Sequence, residues 1–216
     1  MRSLNIRPYR MHRRAEQVGL TRQRITEAAM FLHTTIGPAN TSLAGVAAQA
    51  GVTRLTVYRH FPDLESLFVA CSSHWMGLNP PPDIAAWRAI PNLEERARTT
   101  LRELYGWYHD HGDDLFPIYR DIAAMPVATQ EAIRARDAAA AAVLDGNGSP
   151  DGIGGDGGDG GDGGDDGDAR RLRAVAGHLV SFWTWHSLTR VERLEDADAV
   201  ELAVGFLTSA AVKSSR

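Results

Sequence analysis

Cysteine is almost missing from this 216-residue chain: Cys71 stands alone, so no internal disulfide can form and no paired-cysteine metal spacing exists. Although 44% of the residues are hydrophobic, no apolar run approaches the ~20 residues of a membrane-spanning helix, and a soluble protein is expected. The opening stretch MRSLNIRPYRMHRRAEQVGL has arginines but no apolar segment behind them, which makes a poor secretory signal. Together with the lone thiol, this points to the reducing cytoplasm. Sustained alternation of apolar and polar residues is lacking too, which leaves no candidate sheet. Acidic residues are scarce at one end. Residues 1–60 hold nine arginines against Glu16 and Glu27, a balance of +7, so the rest of the chain carries −11 to reach the net −4. The basic end is the candidate surface for a polyanion, with a merely solvated arm as the bland alternative.

What is present is helical periodicity. Ile25, Ala28, Ala29, Leu32 and Ile36 form one apolar stripe, stopped by Gly37-Pro38. Leu43, Val46, Ala47 and Ala50 repeat it over a short second helix with Thr41 or Ser42 as N-cap and Gly51 as its stop. Thr53 caps a third helix that Phe61-Pro62 ends, and Asp63 caps a fourth with the stripe Leu64, Leu67, Phe68, Cys71, Trp75. Pro80, Pro81 and Pro82 interrupt the pattern. Helices are expected again from about Asn92, after Asp113 and from Thr129 to Leu144, then over 169–190 and 196–213. Between them, residues 145–168 hold 12 Gly and 8 Asp and read as a disordered loop. The expected fold class is all-α. Its expected domains are a basic, disordered arm at 1–20, a three-helix unit at 21–67, and a helical bundle at 68–216.

Gly51-Val52-Thr53 is a very short glycine-containing turn between two helices, the signature of a helix-turn-helix. Val57 and Phe61, four apart, pin the third helix inward, which leaves Arg54, Thr56, Tyr58, Arg59 and His60 outward. These residue types contact phosphates and base edges. Arg7 to Arg14, with Arg22 and Arg24, are expected to lie along the DNA backbone or in a minor groove.

From Thr21 to Cys71, the run TRQRITEAAMFLHTTIGPANTSLAGVAAQAGVTRLTVYRHFPDLESLFVAC resembles the N-terminal domain of the TetR (tetracycline-repressor) family of transcriptional regulators. The resemblance implies a homodimer on a palindromic operator, released by a small-molecule effector held in the C-terminal half. It places DNA contacts at Thr41, Ser42, Thr53, Arg54, Leu55, Thr56, Tyr58, Arg59 and His60. Three positions depart from the family pattern. Leu64 replaces a common lysine and is expected to pack, Leu55 replaces a small residue, and His33 occupies a usually aromatic position as a core histidine.

In the C-terminal half, Trp107, Tyr108, Tyr119, His178, Phe182, Trp183 and His186 are candidate effector contacts, with plain core packing as the competing reading. The last helix is apolar on two faces, and dimerisation through 169–190 and 196–213 would cover the second. No cofactor or metal is expected. Two rivals stay open: a helical interaction protein without operator binding, and a helical metal-dependent enzyme using His109, Asp110, His111, Asp113 and Asp114. The second is weakened because residues two apart on a helix face different ways.

Overall fold

The computed structural model describes residues 6–145 and 164–212, and its regular structure is helical, with no strand among the described residues. No helix among them is long and apolar enough to cross a membrane. Two compact units are formed, one from residues 1–80 with 113–130 and the other from 81–112 with 131–216. The boundary expected at residue 67 would fall within the fourth helix. That helix buries Leu67, Phe68, Cys71 and Trp75 and cannot be cut away from the N-terminal core.

In the first unit, α1 spans Ile6–Thr35, α2 Leu43–Gln49, α3 Arg54–His60 and α4 Leu64–Leu78. Their core joins Ile25, Ala28 and Ala29 of α1 to Val46 and Ala47 of α2, Val57 of α3, Phe61, and Leu67 and Cys71 of α4. The expected unstructured arm is helical from Ile6 onward. Pro8 falls in the first turn, where the missing N–H costs no hydrogen bond, and nothing after it breaks the helix. Gly37 then turns the chain with φ 90° into a 3-10 turn at Pro38–Asn40.

Residues 113–130 are tied into this unit by polar contacts. Trp75 Nε1 donates to Asp114 at 2.9 Å. Arg120 grips the Asp121 carboxylate at 2.7 and 2.9 Å and also donates to the Ile36 carbonyl, while Asp121 accepts from the Ala39 N–H. The Arg120 guanidinium and that N–H hold Asp121 below the usual carboxylate range. A Cβ on Gly37 would sit 2.2 Å from Asp121 Oδ2, so only glycine admits this clamp.

The second unit holds α5 (Ile84–Arg88), most of α6 (Leu93–Arg120) and of α7 (Val127–Leu144), with α8 (Gly164–Leu179), α9 (Phe182–His186) and α10 (Asp196–Val212). The break expected near Asp113 does not occur, because α6 is continuous. Gly112 marks a close approach: a Cβ there would meet the Trp185 ring at 2.5 Å. Buried Arg96 joins α6 to the carbonyls of Val143 and Ile90, and Arg98 bridges Glu94 and Glu201. Of the expected Gly/Asp loop, residues 146–163 lie outside the described residues, and 164–168 belong to α8.

The helix expected over 169–190 is instead two helices and a π-turn at Ser187–Val191. Ser181 caps α9 through its hydroxyl and takes an extended backbone. The carbonyls freed at the break are each met by a hydroxyl: Thr184 bonds His178, Tyr105 bonds Leu179 at 2.9 Å and Tyr108 bonds Val180 at 3.0 Å. Buried orphan carbonyls would otherwise be costly. Tyr105→Phe is therefore expected to lower stability by about 1–3 kcal/mol, read from the urea midpoint, since it strands a buried acceptor.

Candidate nucleic-acid interface

The helix-turn-helix is assembled by local signals. Ser42, rather than Thr41, is the N-cap of α2, accepting from the Gly45 N–H at 3.0 Å. Thr41 points its hydroxyl back to the Gly37 carbonyl at 2.9 Å. Gly51 has φ 63°, the left-handed conformation that glycine adopts without a Cβ clash, and turns the chain out of α2. Thr53 caps α3 by accepting from the Thr56 N–H at 3.2 Å, and the two hydroxyls lie 2.9 Å apart.

Only one face of α3 is consumed by packing. Val57 is buried, and Phe61 just beyond the helix is 2% exposed. Arg54, Leu55, Tyr58 and Arg59 are exposed, with Thr56 and His60 half-buried. Leu55 at 70% exposure is the most open apolar side chain of the helix. Seven residues are too few to form a stable isolated helix, so this row is displayed because Val57 and Phe61 anchor it. Two guanidinia, a phenol and an apolar tip thus share one accessible surface, a set suited to phosphate, base edge and thymine methyl contacts.

Asp63 caps α4 by accepting from the Ser66 N–H at 2.7 Å, and that bond holds its carboxyl below the usual range. Leu64 corrects an expectation: it does not pack but is 52% exposed. His33 is a core residue as expected, stacked on Phe68 at 4.4 Å and 3.5 Å from Cys71 Sγ. Burial pushes His33 down to about 4 and the Cys71 thiol up to about 12, so at neutral pH both are uncharged.

Of the seven expected effector contacts, Tyr119 is buried in the first unit and the others are in the second. There, Trp107, Tyr108, Phe182, Trp183 and His186 form one connected set of ring contacts. Tyr108 meets Phe182 edge-on at 5.5 Å, Trp107 lies tilted 5.6 Å from Tyr108, and Phe182 touches both Trp183 and His186. Trp185, which sequence reading did not single out, touches Tyr108 and Phe182 and lies under the Arg190 guanidinium at 5.4 Å. Its signal was available in the repeated tryptophans of FWTWH. His186 is held below its ordinary value by desolvation and by Arg190. His178 is elsewhere, on an open groove of about 640 Å³ with Thr184, Leu188, Leu202 and Phe206. Leu202 and Phe206 are both more than half exposed.

The acidic-histidine run does not converge. His109 pairs with Asp196 at 2.7 Å in the second unit, and Asp114 accepts from Trp75 in the first. Among the described residues no group of three or more His, Cys, Asp or Glu could hold a metal.

Comparison with known proteins adds an independent line. The sequence profile of the family described as "Bacterial regulatory proteins, tetR family" matches residues 25–71. A solved structure from Clostridium perfringens, provisionally named a fatty acid metabolism regulator, is similar in fold with a TM-score of 0.54. It is 14% identical, over 86% of this chain and 97% of its own. No curated protein matches the chain.

Proposed function

We infer that this chain, whose residues 25–71 are a tetR-family DNA-binding domain, works as a ligand-responsive transcriptional regulator that represses from a palindromic operator. The observation carrying this reading is the exposed row Arg54, Leu55, Tyr58 and Arg59, displayed by two buried anchors. Arg54 stands in the first turn of α3, where a recognition helix meets base edges, and Tyr58 and Arg59 take phosphates. Two copies related by a two-fold axis would place half-sites ~34–36 Å apart or at a multiple of that spacing.

Footprinting on duplexes bearing the inverted repeat near the chain's own gene, repeated over a salt series, tests the reading. Arg54→Ala is expected to weaken selective binding by about 10–200-fold, a loss of ~1–3 kcal/mol. Binding that is equally tight to scrambled duplex would refute the assignment and favour the interaction-protein reading.

The second copy docks on the α8 and α10 surface in this proposal. Leu202 and Phe206 leave there an apolar patch of the kind that marks an interface. Phe206→Arg is expected to shift the chain from dimer to monomer in sedimentation at micromolar concentration; a dimer of unchanged strength would place the interface elsewhere. The effector is assigned to the ring set of Trp107, Tyr108, Phe182, Trp183 and His186, with titration of tryptophan fluorescence as its assay. Coupling of ~1–3 kcal/mol between the two ligands would change operator affinity ~5–150-fold.

A further inference from the structure

Two arginines of α1 were expected along the DNA backbone, yet their guanidinia, on exposed residues, bond to carbonyls of the protein itself. Arg22 Nη1 donates to the His60 carbonyl at 2.6 Å, and its guanidinium lies 4.1 Å above the Phe61 ring. Arg24 Nη2 donates to the Ala50 carbonyl and, at 3.4 Å, to that of Gly51. His60 is the last residue of α3, and Ala50 is the C-cap of α2. Each arginine therefore closes the carboxyl end of one helix of the helix-turn-helix.

Those ends need closing. The last four carbonyls of a helix have no intrahelical partner, and the macrodipole gathers negative charge there. A guanidinium answers both demands, with planar donors for the oxygens and a positive charge for the dipole. Gly51 belongs to the same arrangement, since a Cβ there would come within 3.1 Å of Arg24 Nη2. Through these bonds both short helices are referenced to α1, a helix of thirty residues that also packs on α4.

We propose that Arg22 and Arg24 are positioning residues for DNA recognition: they fix the attitude of α2 and α3 on α1 and do not contact the nucleic acid. The proposal rests on the DNA-binding reading above and names what gives that site its precision. Base readout tolerates little misplacement, so loosening either helix end degrades selectivity before it degrades folding.

The test uses the full chain, a duplex enriched by the wild-type chain from a random pool, and a scrambled duplex of equal length. Arg22→Met and Arg24→Met are expected each to lower the enriched-over-scrambled affinity ratio by about tenfold while leaving the slope of log K against log salt unchanged. Lysine at either position regains part of the loss, because an ammonium still donates to a carbonyl. A slope flattened by ~0.9 per substitution with the ratio preserved would mean phosphate contacts and overturn the proposal. An unchanged ratio with only a lower urea midpoint assigns the arginines to stability alone and overturns it equally. Should the methionine variants fail to fold, Arg22→Lys decides, as it loses the planar stack on Phe61: a ratio two- to threefold lower supports positioning, and an unchanged one removes it. A wild-type chain that enriches no sequence removes the DNA-binding reading and this inference with it.

Discussion

Phe61→Ala is expected to destabilise the DNA-binding unit by about 3–5 kcal/mol, the range for truncating a buried phenylalanine, and to abolish selective DNA binding. Phe61 is 2% exposed and joins the core that includes Val57 and Leu67. Its N–H closes α3 on the Val57 carbonyl at 2.8 Å, and its ring carries the Arg22 guanidinium. Alanine keeps the first contact but deletes the ring from the core and from the guanidinium stack. Against a typical domain stability of ~5–15 kcal/mol, that loss removes about a fifth or more. Urea unfolding followed by circular dichroism measures it. A midpoint change equivalent to less than ~1 kcal/mol would show that α3 is held by something other than this anchor. Phe61→Leu, which retains most of the apolar volume, should fall well short of the alanine effect.

The second large effect is a dependence on pH that originates at His33. In the folded protein its imidazole is neutral down to about 4, because burial against Phe68 and Cys71 penalises the cation, whereas the unfolded chain protonates it near its ordinary 6.5. Between these values the unfolded state binds the extra proton. Stability is therefore complete above pH 6.5, declines as pH falls from 6.5 to 4, and levels off below. The loss is on the order of 3 kcal/mol at the acid end. The informative quantity is the difference between wild type and His33→Phe, which cancels every group the two chains share. That replacement keeps a ring beside Phe68, and the Cys71 thiol keeps its bond to the Phe68 carbonyl. The wild-type-minus-variant stability should slope upward with pH from 4 to 6.5 and be flat above. A flat difference throughout would mean that the imidazole is solvated in the folded state.

Which parts of this architecture could be read from residue order follows from where their causes lie. Ser42, Thr53, Asp63 and Gly51 act on backbone groups within three residues of themselves, and the helices they bound appear where the caps predict them. Val57 and Phe61 likewise declare their inward direction by a spacing of four. The continuity of α6 past Asp113 was not legible, because Gly112 serves a close approach that only the Trp185 ring packed on it reveals. The interruption at Val180–Ser181 had only the Ser181 cap as a local signal. It persists because Tyr105 and Tyr108, more than seventy positions earlier, supply the hydroxyls that its carbonyls need. The carbonyl partners of Arg22 and Arg24 were hidden for a related reason. Charge alone points to a phosphate, while a carbonyl at a helix end is a partner that composition does not reveal.

The Arg120–Asp121 clamp on the turn after α1 and the Trp75–Asp114 bond make the unit that holds the helix-turn-helix non-contiguous in the gene. A chimaera that grafts residues 1–80 onto a foreign sensor would leave the clamp behind and inherit a turn shaped for a partner it no longer has. Exchange of the first unit between related chains therefore has to carry 113–130 across as well, so the natural splice points in this chain are three rather than one.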